Sequence, residues 1–172
     1  MLRAFLLLSA ASALIATPAP AQDWHRHFVF GSQAKPSQDD TAVNSTDLYG
    51  FGTGFGFEGD APALSADSAG GKPFFFSFAA PEGNYKVTVT LGGEQASTTT
   101  VKAELRRLML ETVATPAGGA VTKTFIVNVR TPNLATGGQV RLKAPRESVD
   151  EARDWDNRLT LEFDGDNPEV RS

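Results

Sequence analysis

The sequence predicts an all-β fold, a single antiparallel β-sandwich built by one chain of 172 residues. Apolar side chains alternate with polar ones along several short runs. Gly, Pro, Asn and Asp punctuate the chain between those runs, and no regular alternation of strands with long helices appears. Strict alternation places one side of each strand on a core, and several such strands at short spacing belong to sandwiches or barrels.

The runs can be taken in order. Phe28 to Gly31 reads as an opening strand. Residues 32–47 are polar and read as a loop. The stretch from Tyr49 to Phe57 alternates Gly with aromatic residues, which suits close backbone approach with rings on one face. Phe74, Phe76 and Phe78 share a face. Tyr85, Val87, Val89 and Leu91 share another, with Lys86, Thr88 and Thr90 turned outward, and residues 79–84 between the two runs have hairpin-turn composition. The same period of two recurs at Phe125, Val127 and Val129, at Leu159, Leu161 and Phe163, and more briefly at Val140 and Leu142.

One segment is ambiguous. Residues 102–113 hold good helix formers, and Val101, Leu105, Leu108 and Thr112 fall at helical spacing. The β-branched run Thr98 to Thr100 before it favours a strand. The expectation is one bent strand, with a bulge near Arg106 and Arg107 resetting its phase.

The first residues read as an address. Arg3 precedes the apolar run Ala4 to Ile15, and Ala19-Pro20-Ala21 supplies small residues for cleavage. Residues 1–21 are expected to be a signal peptide and 22–172 the mature module, exported to a periplasm or the medium. The apolar run is shorter than the roughly 20 residues of a membrane span. The mature chain carries 15 basic and 20 acidic side chains, since only Arg3 of the 16 Lys and Arg falls in the signal. That net charge of −5 argues against nucleic acid, which asks for a basic stripe.

A catalytic search finds no complete constellation. There is no cysteine, and the two histidines, His25 and His27, sit at i and i+2 without a third ligand nearby, so no metal site or cofactor is expected. No Gly-x-Ser-x-Gly elbow, Gly-Asp-Ser motif or phosphate-cradling Gly motif occurs. Asp39 and Asp40, Asp154 and Asp156, and Asp164 and Asp166 fit polar turns, in which Asp is favoured. For sugar recognition the candidates are Trp155, whose ring suits the apolar side of a pyranose, its neighbours Asp154 and Asp156, and Arg106 and Arg107, whose planar forks suit a uronate carboxylate. Each has a plainer reading: Trp155 as a plug of one end of the sandwich, Asp156 as a turn cap, the arginines in surface ion pairs. Phe75, Met109 and Ile126 occupy nominally outward positions of three strands, so an apolar docking surface is expected there.

Four runs together resemble a known family. The segment 83–92, with Gly83, Tyr85, Val87, Val89, Leu91 and Gly92, resembles a recurrent strand of galactose-binding-like β-sandwich modules. The segments 100–108, 125–131 and 155–163 follow in the order seen in the N-terminal module of rhamnogalacturonan acetylesterase-like enzymes of the SGNH (GDSL) hydrolases. Phe28 to Gly31 and Gly54 to Glu58 fit the module's opening strands. The resemblance implies a jelly-roll fold and an exported accessory module, supporting or docking to a hydrolase domain and binding pectin-type cell-wall polysaccharide. In that family the catalytic Gly-Asp-Ser and Asp-x-x-His motifs lie in the domain that follows. No position here matches them, so no catalytic residue is carried over and the chain itself is expected not to be an enzyme. A stand-alone carbohydrate-binding module and a secreted enzyme of another type are the alternatives.

Overall fold

The computed structural model describes residues 24–50 and 52–172; the signal peptide expected over 1–21 lies outside them. The described chain is an all-β sandwich. One five-stranded sheet has the order β10 (Val121–Val129), β7 (Gly83–Leu91), β12 (Glu169–Val170), β5 (Ala69–Gly70), β4 (Ala63–Leu64). The other has the order β3 (Phe55–Glu58), β6 (Phe74–Ala79), β11 (Arg158–Asp164), β8 (Ser97–Ala103), β9 (Arg107–Thr115). All pairings within both are antiparallel. A parallel pair, β1 (His27–Phe30) and β2 (Asp40–Val43), completes the fold.

The alternation of the sequence is the burial pattern of the structure. Phe74 and Phe76, Val89 and Leu91, Phe125, Val127 and Val129, and Leu159, Leu161 and Phe163 all enter one core, with Phe78, Tyr85 and Val87 packed at its margin. The two inner faces differ in character. The β6 side is aromatic: Phe76 lies 5.0 Å from Phe30, 5.1 Å from Phe28 and 5.6 Å from Phe57 between ring centroids. The β7 and β10 side is largely Val and Leu. β1 is held beside the last strand, where the Phe30 amide donates to the Arg171 carbonyl (2.8 Å) and the Arg171 amide donates in turn to Thr90 (2.8 Å).

Gly56 shows why the Gly-aromatic stretch needs glycine. It has φ of +145°, and a Cβ there would lie 2.5 Å from the Asp47 carbonyl oxygen and from Leu48, where Leu48 bridges Phe57. A side chain would collide with that backbone.

Four expectations are corrected. Residues 79–84 are not a hairpin turn: β6 and β7 lie in different sheets, so this segment carries the chain from one sheet to the other. The segment 102–113 is neither a helix nor one bent strand: it holds the reversal of a hairpin, in which Ala103 pairs with Arg107 across Glu104, Leu105 and Arg106. Glu104 makes the reversal at φ +56°, a conformation usually given to glycine, and its amide donates to the Thr160 carbonyl (2.8 Å). No Gly or Pro announced the turn. The bulge sits farther along, where β8 and β9 slip register between Thr99 and Lys102 and the Thr112 amide donates to the Thr100 hydroxyl (3.1 Å). The polar loop 32–47 contains β2, whose Val43 is buried and whose Asp40 pairs with the His27 ring. Val140 and Leu142 lie in irregular chain, with Leu142 exposed; a lone bridge joins Asn133 to Gln139 just before them.

Phe76 touches four other rings and is 1% exposed. Phe76→Ala is expected to lower stability by about 3–5 kcal/mol, read from the urea midpoint at unchanged slope.

Candidate functional site

The site grows from the outer side of the β3–β6–β11–β8–β9 sheet. Alternation assigns Ser77 and Thr160 to that side, which would ordinarily face water, yet both are fully buried. The cover is the segment carrying a 3-10 helix, Val149–Asp154. Ser148 and Glu151 form a capping box at its start, with the Ser148 amide donating to Glu151 (2.6 Å). Arg153 points inward from this helix and donates to Glu58 Oε2 (2.8 Å from Nη2), its guanidinium lying 4.7 Å from the centre of the Phe75 ring.

Glu58 collects the polar groups on that side. The Ser77 hydroxyl donates to its Oε1 (2.7 Å) and Arg158 Nη1 lies 3.0 Å from the same oxygen. Burial alone would raise the Glu58 carboxyl, but the Ser77 hydroxyl and the two guanidiniums outweigh it and hold the group below its ordinary value. Asp156 behaves oppositely. Burial, with the Glu58 charge nearby, lifts it above the usual carboxylate range despite Arg158 Nε donating to Oδ2 at 2.7 Å. Asp156 also accepts the Arg158 amide (3.1 Å), which makes it a turn cap.

Glu104 lies farther along the same row, 2% exposed, and accepts from the Thr160 amide at 3.4 Å. Burial pushes its carboxyl up to about 8; Asp156 and Asp154 push the same way, while the Thr160 amide and Arg107 oppose. At neutral pH it is mostly a neutral acid and a potential hydrogen-bond donor.

Trp155, Asp154, Asp156 and Arg107 are brought together at this end of the sandwich. Arg107 approaches Asp154 at 3.9 Å and donates to the Asn128 carbonyl at the end of β10 (3.5 Å). Arg106 stands apart, its side chain 77% exposed, reaching only Glu151 at 3.4 Å. Trp155 ends the 3-10 helix, and the guanidinium of Arg130 lies over its ring at 4.4 Å. The ring therefore supports a cation on one face. Arg130 pairs with no carboxylate among the described residues, and its buried Nε has no hydrogen-bond partner. Sequence reasoning gives Arg130 the same two readings as Arg106 and Arg107, a carboxylate grip or a surface ion pair, and misses Glu58 and Glu104 as a buried row; no spacing rule links residues so far apart along the chain.

Phe75, Met109 and Ile126 do not share a patch. Phe75 lies under Arg153, Met109 packs toward the core from β9, and Ile126 is 58% exposed on the outer face of the opposite sheet. The exposed neighbour on β9 is Leu108, because the slipped register of the hairpin reverses the expected phase. Among the described residues no group of His, Cys, Asp or Glu is arranged to hold a metal ion, and no helix is long and apolar enough to cross a membrane. Comparison with family models, curated proteins and solved structures finds no match.

The elevated Glu104 carboxyl has a consequence for stability. A carboxyl whose folded value is raised from the ordinary 4.5 to about 8 keeps its proton while the unfolded chain loses it, so stability falls as pH rises from about 4.5 to 8. Glu104→Gln is expected to flatten that slope and to be more stable than the parent at pH 8, measured by denaturant unfolding at pH 5, 6.5 and 8.

Proposed function

We propose that this chain is a non-catalytic binding module of an exported hydrolase system, and that it holds a carboxylate-bearing glycan at the corner formed by Arg130, Trp155 and Arg107. The carrying observation is Arg130. A guanidinium spread on an indole ring, with no acidic partner among the described residues and an unsatisfied buried Nε, is a cation prepared for an anion. Arg107 is held weakly by Asp154 at 3.9 Å and can turn toward the same ligand.

The four strand motifs that resemble the module of rhamnogalacturonan acetylesterase-like enzymes support the choice of a uronate-containing pectin-type glycan and of an accessory role beside a hydrolase. In this reading Trp155 is the platform that orients Arg130, and sugar stacking is left to its edge and uncovered face.

Calorimetric titration with oligogalacturonate against a neutral galactan of equal length tests this. Saturable heat is expected with the uronate alone, weakening as salt is raised, and Arg130→Gln should reduce affinity about tenfold. Equal binding of both glycans, or none to the folded protein, would sink the reading.

A further inference from the structure

A second site lies between the sheets, and it shares no residue with the Arg130 corner. A cavity of about 640 Å³ opens between β6 and β7, within the range of about 300–1,000 Å³ typical of small-molecule sites. It is open to solvent beside Arg26 and Lys86 and reaches inward to Phe76 and Leu161. Its origin is visible in the walls. The aromatic β6 side presents Phe28 and Phe78, whose rings are 5.1 Å apart, and the β7 side answers with the much smaller Val87. Trp24 and Tyr85 frame the opening, with Trp24 stacked on Phe78 at 6.2 Å and edge-on to Tyr85 at 5.0 Å. The Tyr85 hydroxyl donates to the Pro81 carbonyl (2.6 Å), which fixes that ring as a doorpost.

The rim carries both signs of charge and leaves one guanidinium unpaired. Arg26 lines the cavity between Trp24 and Phe28, is exposed, and makes no ion pair among the described residues. Lys86 and His25 lie on the same rim. The acidic side chain there, Glu82, is already engaged, accepting from the Thr131 hydroxyl (2.6 Å) and the Thr131 amide (3.2 Å). His27 is taken by Asp40. Glu82 keeps its charge, but no carboxylate among the described residues pairs with Arg26, and an apolar interior below that free guanidinium is complementary to an amphipathic anion.

We propose that this cavity binds a medium-chain aliphatic carboxylate, with the alkyl chain between Phe28, Phe78, Tyr85 and Val87 and the carboxylate on Arg26. The acyl chain buries surface that the core leaves unfilled, and the head group remains at the solvent edge, where its charge is only partly desolvated. Binding here neither requires nor excludes a glycan at Arg130.

Isothermal titration of the purified protein with octanoate, decanoate, decanol and decyltrimethylammonium, each kept below self-association, tests the assignment. One decanoate per chain is expected, bound more tightly than octanoate by about fourfold per added methylene. Arg26→Gln should weaken decanoate about twofold to fivefold and leave decanol unchanged, as for a solvent-edge ion pair. Val87→Phe should abolish binding by filling the space; if circular dichroism shows that it does not fold, Val87→Leu should shorten the longest chain accepted. Absence of saturable decanoate binding to the folded protein would overturn the proposal. So would decyltrimethylammonium or decanol binding as tightly as decanoate, or an affinity unchanged in both Arg26→Gln and the folded Val87 variant.

Discussion

The fold depends on contact between rings along one inner face of the sandwich and the β1 strand laid against it. With no cysteine to brace it, the chain is held by burial alone, and the largest share falls to the phenylalanines of β1, β3 and β6. Phe57 connects Phe30, Phe74 and Phe76, and Phe74 stacks on Phe163 at 5.0 Å, so one run of rings links four strands. Edge-to-face geometry dominates it, as the ring quadrupole prefers. Everything functional is arranged around that mass: the cavity where the rings meet smaller residues, and the polar row on the opposite side of the same sheet.

That polar row shows how a sheet can bury charge without an apolar lid. Glu58, Ser77, Thr160 and Glu104 are joined by short contacts across β3, β6, β11 and the β8–β9 turn. Arg153 and Arg158 neutralise one end, where Glu58 stays ionised. At the other end Glu104 has only Arg107 to oppose burial and the neighbouring Asp156 and Asp154, and there burial wins and Glu104 keeps its proton. The same residue types reach opposite charge states because the number of guanidiniums within reach differs.

Much of the fold was legible from parity alone. Residues such as Phe76, Val127 and Leu161 are buried where a period of two puts them, because a one-residue slip would turn a whole strand inside out. The failures came where local chemistry gave no signal. The β8–β9 turn uses Glu104 in a glycine-like conformation, stabilised by Thr160 from a distant strand, so composition pointed elsewhere. β2 needs only Val43 and a parallel partner, and its polar residues read as loop. At the site, Trp155, Asp154, Asp156 and Arg107 were legible as neighbours because three of them adjoin in the chain. Arg130 was legible only once β10 was seen to end beside Trp155, since pairing of distant strands leaves no local pattern.

The seam between β1 and the final strand carries a kinetic implication. The hydrogen bond from Phe30 to Arg171 joins nearly the two ends of the described chain, so it closes the largest loop in the molecule. Local hairpins such as β4–β5 and β8–β9 close short loops, whereas closure entropy opposes this contact most. The rings of β1 therefore gain their full cover only when the segment at Arg171 docks beside them.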